Sequence, residues 1–306
     1  MGDRRGDLGG HPGRRLDLHA RTGHRLLPRQ GPLHRPAQRD RIPGGDPVSS
    51  PQRIPRFRYD GTVTAEQRAF YEQYGFVIYR GLLDAQDVEI IRRDAEHLER
   101  ETLEGNVPAE HRDQVIKPSY DENGRATLHR LPYFTLHSAN TRDLIERRKL
   151  DALGPGLLGR PTWRFEDAVD GAVWQMKRGR RSSYSALDWH LDFPHDLPLT
   201  PLVNVGIYLD DATVRNGCLI LVPGSHRYPP RRLEPLGLPI EAEAGDVICH
   251  TFNILHHSGP VLDDTSRATL YVYYSAGQKP DAGTAYSHRA GEDFAKMITG
   301  AEAGAR

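Results

Sequence analysis

The sequence predicts a mainly β fold with flanking helices, an antiparallel sandwich or barrel of the jelly-roll kind. Three observations carry that reading. After Gly159 the chain holds short runs rich in Val, Ile, Tyr or Thr at residues 172–177, 202–209, 218–222, 246–249 and 267–275. Gly, Pro, Asp and Asn turns separate these runs and no helical pattern intervenes, which argues against parallel βαβ units. Ahead of them stands a helix, strand, helix opening, and no repeat of about 20–50 residues is visible.

Taken in order, residues 1–50 come first, with ten Arg, five Asp and no Lys, Glu, Phe, Tyr or Trp. Such a stretch cannot bury enough apolar surface to offset the entropy of ordering. Residues 1–55 are therefore expected to be a disordered extension, or GC-rich DNA translated from a start assigned too early, rather than a basic arm for nucleic acid. Its first residues lead into more Arg, Gly and Pro, so no signal peptide is expected, and no apolar run is long enough for a membrane span. Structure is expected from Arg56. Thr64 with Gln67 forms a capping box for a helix over 65–74, which Gly75 ends. Residues 76–79 form a strand. Asp84 caps a second helix whose Val88, Ile91, Ala95 and Leu98 recur at helical spacing. This opening reads as an outer layer. Residues 105–140 read as a long irregular segment, an ordinary covering loop or a lid that turns His129, Tyr133 and Phe134 toward a substrate. Residues 141–153 read as a helix ending near Gly154-Pro155-Gly156. Cys218 and Cys249 lie in apolar runs and read as buried free thiols of a cytoplasmic protein.

The chemistry gathers at Trp189-His190-Leu191-Asp192-Phe193 and at His256-His257-Ser258-Gly259 followed by Arg267. Side chains alternate along a strand, so His190 and Asp192 leave it on one side. An imidazole and a carboxylate there are two thirds of a 2-His-1-carboxylate face, which holds Fe(II) on three sites and leaves three open. His256 is the candidate for the third ligand, with His250, His257 and His195 as alternatives. Residues 260–266 read as a turn that returns the chain as a strand and brings Arg267 alongside the metal-bearing strand. A guanidinium fork suits the far carboxylate of 2-oxoglutarate, and Ser258 adds a hydroxyl to it. Arg267, Thr269, Tyr271 and Tyr273 share one face, and Asn204 and Tyr208 share another that lines a cavity. His226 reads as a turn-holding residue; His195 and Asp196 sit on a loop near the site mouth.

These stretches, with Tyr74-Gly75-Phe76-Val77, Asn216-Gly217-Cys218-Leu219, Pro223-Gly224-Ser225-His226 and Gly245-Asp246-Val247 in the same order, resemble the phytanoyl-CoA dioxygenase family. The resemblance covers roughly residues 56–275. It implies a double-stranded β-helix of the cupin-like jelly-roll type over residues 56–290, with 291–306 as a tail. It implies Fe(II), 2-oxoglutarate and O2 as cofactors, ascorbate as an accessory reductant, His190, Asp192 and His256 as metal ligands, and Arg267 and Ser258 on 2-oxoglutarate. It also puts Gln175 and Lys177, on the strand before the His-x-Asp motif, within reach of co-substrate or substrate. The chain departs from the family's common pattern at Leu191 and Val261.

The activity so implied is hydroxylation of an unactivated C–H bond in a small molecule, a secondary-metabolite intermediate. The alternatives are desaturation, epoxidation or oxidative cyclisation at the same centre, or a non-catalytic metal-binding jelly roll. Asp192 argues against halogenation, which needs a small residue there. A small-molecule partner, no nucleic acid, no membrane and a monomer or homodimer complete the expectation.

Overall fold

The computed structural model describes residues 54–112, 119–120, 124, 126–167, 170–179, 186–192, 201–227 and 237–279. Residues 1–53 and 280–306, with nearly all of the expected extension and the whole of the expected tail, lie outside them, as do Phe193, His195 and Asp196.

The opening folds as its local signals require. Helix α1, Ala65–Tyr74, starts at the reciprocal cap in which Thr64 Oγ1 accepts from the Gln67 amide at 3.2 Å and Gln67 Oε1 accepts from the Thr64 amide at 3.0 Å. Gly75 ends it in the left-handed region at φ 82°, where a side chain would also strike His226. His226 Nε2 donates to the Glu72 carbonyl at 3.1 Å, so this histidine fastens a turn to α1. Strand β1, Phe76–Tyr79, leads to helix α2, Ala85–Glu104, capped by Asp84.

Residues 105–140 are less irregular than expected. They hold α3 (Ala109–Arg112), the short strands β2 (Ser119–Tyr120), β3 (Ala126–Thr127) and β4 (Arg130–Leu131), and α4 (Phe134–His137). His129, Tyr133 and Phe134 are buried in the body of the protein and none borders the cavity described below. Helix α5, Ala139–Arg147, and a 3-10 turn at Leu150–Ala152 follow. The expected stop at Gly154-Pro155-Gly156 is corrected: these residues lie inside α6, Leu153–Leu158, which ends at Gly159. Proline is tolerated in a first helical turn, where its missing N–H costs nothing. The glycines serve close packing, since a Cβ at Gly154 would lie 2.9 Å from Tyr274 Cβ and one at Gly156 2.4 Å from Val63.

The strands then run β5 (Thr162–Arg164), β6 (Val173–Arg178), β7 (Leu187–His190), β8 (Leu202–Tyr208), β9 (Leu219–Leu221), β10 (Leu238–Ile240), β11 (Val247–Thr251), β12 (His256–Ser258) and β13 (Ser266–Ala276). Among the described residues a seven-stranded sheet has the order β1-β11-β8-β13-β6-β4, with β5 on β13, and a four-stranded sheet the order β10-β9-β12-β7. Every pairing within both is antiparallel, the jelly-roll arrangement. β1 is thus the edge of the main sheet rather than a separate outer layer.

Alternation divides the large sheet into two faces. Val203, Val205, Ile207, Val247, Cys249, Leu270, Val272 and Tyr274 pack with Val88, Ile91, Leu98, Leu144 and Ile145 of the helices in one core. Their strand neighbours Asn204, Gly206, Tyr208, Ile248, His250, Tyr271 and Tyr273 turn inward and border a cavity. The helices cover the outside of the sheet, and the inside stays free for chemistry. Cys218 and Cys249 are buried free thiols, as expected. No described helix is long and apolar enough to cross a membrane.

Candidate metal centre and cavity

The inward faces of the two sheets enclose a cavity of about 450 Å³. On its four-stranded wall, β12 pairs antiparallel with β7 so that His256 stands directly opposite His190. Asp192 follows just beyond the end of β7. His190 Nε2 is 3.7 Å and His256 Nε2 is 3.6 Å from the same Asp192 oxygen, Oδ1. These separations are too long for hydrogen bonds. They match ligands held about 2.0–2.2 Å from a common ion, which stand roughly 3–4 Å apart.

Each imidazole is fixed in the ligating tautomer. His190 Nδ1–H donates to the Asp188 carbonyl at 2.6 Å, and His256 Nδ1–H to the Ile254 carbonyl at 2.9 Å. Both Nε2 lone pairs therefore face the common point. Burial, reinforced by the charges of His190 and His250, holds His256 well below the usual imidazole range, and so in its neutral, metal-binding form. Asp192 Oδ2 is buried with no hydrogen-bond partner, an arrangement that costs free energy unless a cation repays it. Among the described residues this is the one cluster of three such groups within 4.8 Å of one another. The donor set, two neutral imidazoles and a carboxylate on one side, fits a ferrous ion.

The alternative histidines stand apart from the cluster. His250 is buried beside His256, rings 4.9 Å apart, but its Nδ1 donates to the Thr251 carbonyl and it lies outside the converging set. His257 alternates away from the cluster and packs against Trp189, ring centroids 4.0 Å apart in a tilted arrangement.

Arg267 is buried at the start of β13. It donates to Thr269 Oγ1 at 3.0 Å and to the Gly217 carbonyl at 2.9 Å, both neutral acceptors, and its Nε has no partner. Gly217 has φ 74°, and a Cβ there would lie 2.2 Å from the Gly259 carbonyl oxygen. The Asn216-Gly217 turn thus needs glycine to press against the segment after β12 while its carbonyl holds the guanidinium, a role the sequence reading missed. One expectation is corrected: β13 belongs to the seven-stranded sheet and pairs with β6 and β8, so Arg267 faces the ligand-bearing strand β12 from another sheet instead of lying alongside it. Ser258 Oγ is buried, borders the cavity and has no partner. Gln175 also borders the cavity. Lys177 does not; it stands opposite Arg267 in the β6–β13 register and donates to the Gly259 carbonyl at 2.9 Å. Ile248 and Leu219, which the sequence analysis does not assign to the site, complete apolar parts of the wall; Ile248 was legible by its alternation with His250.

Burial, aided by the Arg267 charge, lowers the Lys177 amine to about 7. An unfolded lysine keeps an ordinary value near 10.4, so between that pH and 7 the unfolded chain binds the extra proton. Stability supplied by the neutral amine is therefore lost as pH falls from about 10 to 7 and stays lost below. Lys177→Met is expected to stabilise the protein more at pH 6 than at pH 10, measured by urea unfolding; a gain independent of pH would contradict this.

The family model for phytanoyl-CoA dioxygenase matches residues 71–269. The peroxisomal phytanoyl-CoA dioxygenase of Rattus norvegicus is 24% identical over 225 residues, 69% of this chain and 63% of that protein, so the chain spans less than two thirds of this relative. The crystal structure of EctD from S. alaskensis with bound Fe is similar at a TM-score of 0.58 and 20% identity, covering 74% of this chain and 85% of that one. The non-heme alpha ketoglutarate dependent carbocyclase SnoK from nogalamycin biosynthesis is similar at 0.55 and 20% identity, covering 74% and 90%. At these identities the two structures share the fold.

Proposed function

This chain belongs to the phytanoyl-CoA dioxygenase family, and from that premise we propose that its domain, over residues 56–290, is an iron(II)- and 2-oxoglutarate-dependent oxygenase hydroxylating a C–H bond of a small molecule, a secondary-metabolite intermediate. The observation that carries the reading is the convergence of His190, Asp192 and His256 on one point inside the cavity. Bound iron supplies activation of dioxygen coupled to oxidative decarboxylation of 2-oxoglutarate. The protein's own contribution is positional. Backbone carbonyls of residues 188 and 254 hold the two imidazoles in register, and Asp192 supplies the single negative charge. Arg267, with an unused Nε, and Ser258, with an unused hydroxyl, offer donors to a carboxylate. The two sheets wall the centre on facing sides. A biosynthetic substrate is supported by the nogalamycin carbocyclase among the fold relatives.

The test is the full chain loaded with Fe(II) under reducing conditions, given 2-oxoglutarate, O2 and a panel of small natural-product intermediates. Succinate release tied to substrate consumption, with one oxygen atom gained by the product, is expected. A product lighter by two hydrogens would assign desaturation or ring closure instead. Iron-loaded protein that releases no succinate with any member of the panel would overturn the enzyme reading in favour of a binding module.

A further inference from the structure

Asn204 occupies the middle of β8, is only 5% exposed, and borders the cavity. Its Oδ1 is buried without a hydrogen-bond partner. In the sheet register Asn204 stands opposite His250 on one side and Tyr273 on the other. Directly opposed residues on antiparallel strands project to one face. Imidazole, carboxamide and phenol therefore form one row across three adjacent strands, and all three border the cavity. The His250 ring lies 4.9 Å from that of His256, which sets the row at the level of the candidate ligands.

The row is remote from the cationic end. Tyr273 lies roughly 20 Å along β13 from Arg267, at about 3.3 Å per residue. A dicarboxylate anchored at Arg267 presents acceptors only, whereas an orphan amide oxygen needs a donor. Should the amide be turned the other way, it still offers both an acceptor and donors to the cavity. No Lys or Arg borders the cavity among the described residues, so the one cation within reach of Asn204 would be the metal itself, whose open positions are those the co-substrate and dioxygen take. Resting on the oxygenase reading, we propose that Asn204 is a specificity-determining residue that takes a neutral amide or hydroxyl group of the primary substrate beside the metal centre. An unsatisfied buried carboxamide penalises ligands that lack such a group, which turns one hydrogen bond into discrimination.

The full chain, loaded with Zn(II) and 2-oxoglutarate, is probed by saturation-transfer NMR with N-methylacetamide, acetate and methylammonium. N-Methylacetamide is expected to give the strongest signal, to fall at least fivefold with Asn204→Leu, and to recover in part with Asn204→Gln. An unchanged signal in Asn204→Leu, or a preference for acetate or methylammonium, would overturn the proposal. Titration of 2-oxoglutarate into the same samples separates the two readings. A weakening above tenfold in Asn204→Leu alone assigns the residue to the co-substrate and defeats the proposal. Failure of the unsubstituted metal-loaded protein to bind 2-oxoglutarate defeats the oxygenase reading, while the N-methylacetamide comparison still decides the role of Asn204.

Discussion

Asp192→Ala is expected to abolish 2-oxoglutarate-dependent turnover and to weaken Fe(II) binding by roughly 100-fold or more, beyond the loss typical of removing a supporting hydrogen bond. Asp192 supplies the one anionic donor of the converging set, and both Nε2 atoms are ranged about its Oδ1. Two neutral imidazoles alone leave the ion's charge uncompensated in a buried site. The same substitution makes a second prediction of opposite sign for the protein without metal. Asp192 is 8% exposed and its Oδ2 has no partner, so removing it relieves a desolvated group and should leave the metal-free protein equally or more stable. A residue that merely held the fold together would behave the other way. Thermal unfolding with and without a divalent ion separates the cases, because a ligand that binds only the native state raises its stability. The unsubstituted protein should gain stability from the ion and Asp192→Ala should not. Retained turnover, or an undiminished thermal gain, would remove Asp192 from the ligand set.

The difference between what was legible in the sequence and what was not follows from how far each feature reaches along the chain. The Thr64–Gln67 cap, the Gly75 stop and the apolar stripe of α2 are set within a few residues, and they stand where the sequence places them. Alternation also reads locally, which is why the inward set of Asn204 and Tyr208, and of Thr269, Tyr271 and Tyr273, was visible beforehand. Period two tells which residues share a face; it is silent on which sheet a strand joins. That is how β13 came to be expected beside β12 when it pairs with β6 and β8. The α6 correction has the same origin. Gly154 and Gly156 look like a stop in isolation, but Tyr274 and Val63 pack so closely that only glycine fits within the helix. At the site, His190 and Asp192 were legible from their spacing. The choice of His256 over His250 depends on strand pairing, which sets His256 opposite His190, and on the backbone carbonyls that aim each ring.

Arg267→Ala should raise the KM for 2-oxoglutarate by about 10- to 200-fold, the equivalent of about 1.5–3 kcal/mol for a charged hydrogen-bonding partner, while metal affinity stays near that of the unsubstituted protein. This split is the diagnostic feature, since Arg267 lies near the opposite end of β13 from Tyr273 and is not one of the three converging groups. Some loss of stability accompanies it, because the Gly217 carbonyl loses its guanidinium donor. Arg267→Lys keeps a positive charge without the fork and should recover part of the affinity. The neighbouring Lys177 makes the prediction sharper. Its amine is depressed first by burial and then by the Arg267 charge, so deleting Arg267 allows it to rise toward its ordinary range. Lys177 then carries more charge at neutral pH and can attract the co-substrate in place of the missing guanidinium. The residual affinity of Arg267→Ala should accordingly improve as pH falls from about 9 to 7, the window into which the raised Lys177 titration moves, and this improvement should vanish in the Arg267→Ala, Lys177→Met double variant. A KM for 2-oxoglutarate unchanged by Arg267→Ala would place the co-substrate elsewhere in the cavity. A residual affinity with no pH dependence would detach Lys177 from its recognition.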